Sequence, residues 1–304
     1  MLPDLLALFS AFSLMDIAIL LVTGVFAGFL AGMFGIGGGV VLVPALVAVF
    51  TAQGYGEYAM HMAVGTSLAI VVPTGFVSAL AHARKGALNK AALKRWAPGI
   101  LLGVLCGTAA ASVLDGQSMK AIFAVAIVFL AALMQIDPKK LRRLGKGKTE
   151  SGAAPLAEGA TKEKDDEGAD VTPSALVLGC CGLGVGTLST LMGIGGATMS
   201  VPAMSILGMN IRNAIGTAAS IGVLISLPGA AGFMLIGQGQ TGAAPWFMIG
   251  YVHGLAAMII LPVSVLCARL GVTAAHALPF ANLKRFFSIF MVIVAVKMLW
   301  SVWG

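Results

Sequence analysis

No carboxylate side chain follows Asp170 in this 304-residue chain. All twelve Asp and Glu residues lie at or before Asp170, and none falls inside a long apolar run, although Asp16 stands near the edge of one. Cation carriers and many proton-coupled pumps place an Asp or Glu within their helix bundle. The absence argues against a cation substrate and removes paired-carboxylate catalysis. No Ser, His and Asp set falls within one site, so an intramembrane enzyme is not expected. Cysteine is equally scarce. Cys106, Cys180, Cys181 and Cys267 sit in apolar surroundings without C-x-x-C spacing. They read as small packing residues, not as a metal or redox centre. Residues 1–16 hold no Lys or Arg, so the basic start of a signal peptide is missing. Leu5, Leu6, Phe9 and Phe12 there suit a short amphipathic or interfacial helix. There is no nucleotide-binding motif, and no cofactor is implied.

Charge of either sign is low. Only 10% of the residues are charged and 59% are hydrophobic, whereas a soluble domain carries roughly 25% charged residues. This composition predicts an all-α polytopic membrane protein whose partner is the lipid bilayer. The net charge of +7 does not point to nucleic acid. Eleven of the 19 Lys and Arg fall within 84–95 and 139–148, beside apolar runs, as cytoplasmic loops do.

What the chain has in abundance is apolar runs and repeated glycine. Apolar runs cover about 14–34, 40–50, 59–81, 96–114 and 117–136. A charged, Gly/Ala/Thr-rich stretch at 137–172 reads as a flexible, solvent-exposed linker. A second set follows at about 173–192, 198–207, 214–236, 244–266 and 286–303. The expected organisation is a first membrane repeat at 1–136, a cytoplasmic linker at 137–172 and a second, inverted membrane repeat at 173–304. Two internal matches support duplication. Residues 33–44 (MFGIGGGVVLVP) and 191–202 (LMGIGGATMSVP) agree at six of twelve positions. Residues 63–72 (AVGTSLAIVV) and 214–223 (AIGTAASIGV) agree at five of ten.

Charge placement orients the halves. The loop after the third run of the first half holds Arg84, Lys85, Lys90, Lys94 and Arg95, while its counterpart at 237–242 is uncharged. The turn at 51–58 carries only Glu57, against Arg212 at 208–213. The turn at 115–118 carries Asp115, against Arg269, Lys284 and Arg285 at 267–285. The basic side switches each time, which by the positive-inside rule predicts inverted repeats. Loops 84–95, 208–213 and 267–285 and the linker are then cytoplasmic, and both termini lie outside. Lys120 and Lys297 break the pattern mildly; Lys297 beside Trp300 and Trp303 suits a snorkelling side chain.

The glycine motifs are the expected site. Helix-breaking glycines within an apolar run cannot face lipid, because each unpaired backbone group there costs several kcal/mol. They must line a cavity or be buried in protein, and each is expected at the tip of a broken or re-entrant helix. Short helices then begin near Val40 and Thr198. A helix N-terminus offers free N–H groups and about half a positive charge. Two such ends meeting near the midplane would hold a small anion without a buried Lys or Arg. The expected ligands are the backbone N–H groups of Gly37, Gly38, Gly39 and Val40, and of Gly195, Gly196, Ala197 and Thr198, with Gly35 and Gly193 at the breaks. Tight helix packing is the competing role for these glycines.

Thr66, Ser67 and Thr217 are candidate hydroxyl donors, although membrane hydroxyls commonly bond back to the i−4 carbonyl. Ser220 stands in the same repeat. Pro73, Pro228 and Pro262 can break or kink their helices. His253, expected within a run, either carries a proton or pairs with the anion, or serves structure alone. His82 beside Arg84 and Lys85 reads as an interfacial anchor. Arg212 reads as a guard at a cytoplasmic mouth or as a plain positive-inside charge. The residues leave a homodimer open.

Taken together, the motifs resemble those of the TauE/SafE family of sulfite and organosulfonate exporters. The matching residues are 28–44, 63–67, Pro73-Thr74 and 81–86 (AHARKG), with second-half copies at 193–202 and 214–217. The resemblance covers nearly the whole chain except the linker. Ala197, where the first motif has Gly39, and the long linker depart from the family pattern. The resemblance implies a multi-pass transporter of small anions, typically sulfite or sulfonates such as sulfoacetate, in the inner membrane of a bacterium. An importer or an anion channel on the same architecture fits the same residues.

Overall fold

The computed structural model describes residues 12–35, 37–135, 175–206, 209, 211–240, 247–277 and 291–298. The linker at 137–172, the first eleven residues, Ile36, the turn carrying Lys284 and Arg285, and Trp300 and Trp303 lie outside the described residues, as do the side chains of Arg212 and His276.

Helix α1 (Leu14–Phe34) opens on a capping box, with Ser13 and Asp16 each bonding the other's backbone N–H. It stops at Gly35, which takes a left-handed conformation at φ 68°. Helix α2 (Gly39–Ala52) follows, then a 3₁₀ turn at Gly56–Tyr58, α3 (Ala59–Arg84), α4 (Lys90–Val113) and α5 (Gly116–Gln135). The second set is α6 (Ala175–Met192), α7 (Ala197–Ile206), α8 (Ile211–Ile236) and α9 (Gly254–Ala277), with a helical stretch at 291–298. Asp115 precedes α5; its carboxylate accepts hydrogen bonds from Ser118, which hold it below the usual carboxylate range. The chain is an all-α polytopic membrane protein: five helices are long and apolar enough to cross a bilayer, α1, α3 with its leading turn, α4, α8 and α9.

Two expectations change, and one pair of alternatives, break or kink at the prolines, is decided against a break. The run drawn at 244–266 is in part a hairpin, β1 (Met248–Ile249) against β2 (Val252–His253), with α9 beginning only after it and running on to Ala277. Gly250 at φ 56° makes the tight turn. Arg269 therefore lies on a helix rather than in a loop. Pro73, Pro228 and Pro262 do not break their helices, since α3, α8 and α9 run through them. His82 is buried, not interfacial: its Nε2 meets the Gly32 carbonyl at 3.1 Å, while Ser78 Oγ donates to Ala31 O at 3.2 Å. One turn apart on α3, the two side chains serve carbonyls that the end of α1 leaves unpaired.

Two glycine ladders hold the bundle together. On α1, Gly24, Gly28 and Gly32 lie against the backbone of Ile260, Ser264 and Ala268 of α9. On α4, Gly99, Gly103 and Gly107 lie against Gly179, Leu183 and Thr187 of α6. A Cβ at any of these positions would press on the neighbouring backbone, so only glycine permits the approach. Both pairings advance together along the chain, so α1 and α9 run parallel, as do α4 and α6. Helices α3 and α8 cross between them in opposite directions, with Gly65 against Phe233, Leu68 against Gly229 and Gly75 against Val223. Faces turned away from these contacts carry large exposed apolar side chains: Val22 and Phe26 on α1, Leu102 and Leu105 on α4, Val125 and Phe129 on α5, and Leu266 and Leu270 on α9. This is the surface lipid requires.

Candidate functional site: two glycine tips between crossed helices

Each glycine motif takes the same path. Gly35, Gly37 and Gly38 have φ of 68°, 75° and 76°; Gly193, Gly195 and Gly196 have 66°, 70° and 80°. All lie in the left-handed region that a Cβ disfavours. Gly39 and Ala197 do not need it, which explains why alanine is accepted in the second copy. At each start two successive amides converge on one carbonyl, and at α7 the Ala197 N–H before them donates to Gly195 O at 3.1 Å. Val41 and Leu42 donate to Gly38 O, and Met199 and Ser200 donate to Gly196 O. The remaining first-turn amides, Gly39 and Val40 of α2 and Thr198 of α7, have no carbonyl four residues back within their helix.

The tips touch each other. Gly39 packs on the Gly193 carbonyl and on Ile194. Val71 of α3 stands against both Gly37 and Gly195, at 2.8 and 2.6 Å from where their Cβ atoms would be. Each tip also rests on the third long helix of the opposite half: Gly35 on Ile215 and Ala219 of α8, Gly193 on Val64 of α3. Ser67 Oγ donates to Gly193 O at 2.8 Å. Gly35, Gly37, Gly38, Gly39, Val40, Gly193, Gly195, Gly196, Ala197 and Thr198 are all buried. The structure thus brings the glycine residues, Val40, Ala197, Thr198 and Ser67 into one place.

Thr66, Thr217 and His253 have a different geometry. Thr66 Oγ1 accepts the backbone N–H of His253 at 2.9 Å. Thr217 Oγ1 accepts the backbone N–H of Asn89 at 3.0 Å. Asn89 and His253 stand just before α4 and α9, and each caps its helix. Asn89 Oδ1 accepts from Ala92 N at 3.0 Å, and His253 Nδ1 from Ala256 N at 3.2 Å. The preceding glycines complete the joint, Gly65 on the Tyr251 carbonyl and Gly216 on the Ala87 carbonyl. The repeated Gly-Thr pair is a clamp on a helix start. His253 is not mid-helix. It accepts at Nδ1, so its ring proton sits on Nε2, and it lies among Phe12, Phe50, Tyr55 and Phe247 with ring centroids 5.1–6.2 Å away.

Sequence reasoning passed over two features. The i, i+4, i+8 glycines of α1 and α4 were visible as spacing. The buried hydroxyl of Ser189, beside Gly196, was visible only as one serine among many. Elsewhere, His61 Nε2 meets the carbonyls of Ala111 and Leu114 at 3.2 and 3.1 Å, closing the end of α4. It borders a cavity of about 200 Å³ with Glu57, Tyr58, Asp115 and Tyr251, away from the glycine tips. Among the described residues no cluster of His, Cys, Asp or Glu is arranged to hold a metal.

Comparison with known proteins agrees in kind. The chain is 35% identical to a probable membrane transporter protein of Haemophilus influenzae over 93% of its own length and 97% of that protein's. It is 23% identical to the probable membrane transporter protein YunE of Bacillus subtilis, over 94% and 98% of the two chains. A probable membrane transporter protein of Xylella fastidiosa is 25% identical over 95% and 98%. No solved structure matches it. Residues 20–298 match the family described as sulfite exporter TauE/SafE, and the chain belongs to that family of membrane transporters.

Proposed function

We propose that this protein is a secondary transporter that exports a small sulfur-containing anion, sulfite or an organosulfonate such as sulfoacetate, across the bacterial inner membrane. One observation carries the reading: two left-handed glycine tips, each opening a helix, meet face to face inside an apolar bundle. The starts of α2 and α7 each present about half a positive charge. No carboxylate in the second half opposes them. An anion is stabilised there without a buried Lys or Arg, and a cation is not. The family's description as sulfite exporters supports a sulfur oxyanion as that anion.

Alternating access is the mechanism that suits the architecture. The halves are inverted repeats, a reading supported by the antiparallel crossing of the equivalent helices α3 and α8 and by the basic loops that switch sides. Rocking of one half against the other would open the tips to either face in turn. An inside-negative potential drives an anion outward by about 2.3 kcal/mol per charge per 100 mV, so export needs no ion-coupling carboxylate.

The test is movement of labelled sulfite, sulfoacetate and taurine in proteoliposomes under a set potential. Saturable, potential-dependent flux with counterflow, lost in a folded Gly37→Val/Gly195→Val variant, is expected. Flux without counterflow means a channel. No flux of any sulfur anion sinks the substrate, and equal flux in the folded variant sinks the site.

A further inference from the structure

We infer that the anion is held on one side of the paired tips only, by the hydroxyls of Ser189 and Thr198 together with the Thr198 N–H in the first turn of α7. This rests on the transport reading above and specifies its binding site.

Among the described residues of the second half, most hydroxyls on α6 and α7 are bonded. Thr187 Oγ1 donates to Leu183 O, Thr190 Oγ1 to Gly186 O, Ser200 Oγ to Gly196 O and Ser205 Oγ to Val201 O, each one turn back along its own helix. Ser189 and Thr198 break the pattern. Each is 1% exposed, and neither hydroxyl has a hydrogen-bond partner. A buried hydroxyl left unpaired is costly, and native structures rarely tolerate it without a ligand or function. The two flank one feature. Thr198 is the second residue of α7. Ser189 Oγ lies 3.5 Å from the position a Cβ on Gly196 would take, immediately before that helix.

The chemistry of the missing partner follows from what surrounds it. At the start of the ten-residue helix α7, Ala197 donates to Gly195 O and Met199 and Ser200 to Gly196 O, which leaves the Thr198 N–H and the positive helix end. Two hydroxyls add rotatable donors. Neither Lys nor Arg is present, and no carboxylate is near in sequence. The complement is a compact, acceptor-rich anion. Three donors, two hydroxyls and the Thr198 N–H, match a head with three oxygens, as in sulfite or a sulfonate, better than a planar carboxylate.

The first motif cannot offer the same. Its residues equivalent to Ser189 and Thr198 are Ala31 and Val40, which have no polar side-chain atom. The backbone is duplicated, but the hydroxyls are not. Each chain therefore binds one anion, seated against α7, with α2 supplying field but no side-chain hydrogen bond.

The experiment uses the purified full-length protein in detergent and titrates sulfite, methanesulfonate and acetate by calorimetry. Wild type is expected to bind one equivalent of sulfite or methanesulfonate, and acetate more weakly. Ser189→Ala and Thr198→Val should each weaken sulfite binding roughly tenfold, the worth of one hydrogen bond to a charged group. Thr198→Ser should restore it. Without anion, Thr198→Val should melt no lower than wild type, because it removes a hydroxyl that nothing satisfies. Unchanged affinity in folded Ser189→Ala and Thr198→Val proteins overturns the placement while leaving the transport reading intact. So does a two-to-one stoichiometry. A wild type that binds none of the three anions overturns both. A lower melting point of Thr198→Val in anion-free buffer assigns the hydroxyl to structure and overturns the inference.

Discussion

Ser67 Oγ donates to the carbonyl of Gly193 at 2.8 Å. A helix of the first half thereby holds the point at which a helix of the second half breaks. The equivalent of Ser67 in the second half is Ala218, and the Gly35 tip instead packs on Ile215 and Ala219. Ser67→Ala should cost about 1–3 kcal/mol by stranding a buried carbonyl, and Ser67→Thr should cost less. Thermal unfolding in detergent measures both. A Ser67→Ala protein as stable as wild type would mean that the bond is idle.

Asn89 and His253 cap equivalent helices in the same way, so one can stand in for the other. His253→Asn should fold and transport near wild-type levels, because Asn is a better N-cap than His. His253→Leu removes the acceptor for Ala256 N and should lose about 1 kcal/mol or more. Transport assayed across a pH series decides the role. A profile that flattens in His253→Asn would instead identify His253 as a proton carrier.

Thr217→Val should destabilise by about 1–3 kcal/mol, since it leaves the Asn89 N–H unpaired at the start of α4. Thr217→Ser should keep the clamp. The comparison is made on melting temperature and on transport together. Loss of transport in a Thr217→Val protein of unchanged stability would move the hydroxyl from the clamp to the substrate.

Gly184 and Gly186 stand two residues apart on α6 and should respond oppositely to alanine. A Cβ at Gly184 meets nothing within 4 Å, so Gly184→Ala should be neutral or stabilising by up to about 1 kcal/mol. A Cβ at Gly186 presses on the Ile100 carbonyl and on Gly103, so Gly186→Ala should loosen α4 from α6. Denaturation in graded detergent checks the pair. Equal effects would refute the ladder.

Gly195→Ala carries two separable costs. One is the left-handed backbone, about 1–2 kcal/mol for any residue with a Cβ. The other is contact with Val71. The double variant Gly195→Ala/Val71→Ala should recover part of the stability but not transport. Full recovery of both would show that φ at this position is unimportant.

Much of the fold was readable because membranes restrict the options. An apolar run long enough to span, or too short to do so, has few outcomes, and the helix bounds fall close to the drawn runs. The breaks at Gly35 and Gly193 were readable because glycine followed by renewed apolar sequence admits little else. The hairpin before α9 was not. Residues 247–253 are apolar and carry no strong turn signal, and what turns them is Gly250 against Met234 and the Tyr251 N–H donating to the Phe233 carbonyl. For the same reason the repeat of Gly65-Thr66 in Gly216-Thr217 could be seen, while its use as a clamp could not. The acceptor is in one half and the donor in the other. Ser189 went unnoticed because an unpaired hydroxyl becomes informative only once every neighbour's bond is known.

The glycine ladder between α1 and α9 has a consequence for how the chain is made. Helix α1 leaves the ribosome before its partner α9, which belongs to the other half of the chain. Until α9 arrives, the Gly24-Gly28-Gly32 face is covered by lipid or by a chaperone. Membrane insertion and completion of the fold are therefore separate events in time, and the first half alone is an intermediate with an open seam.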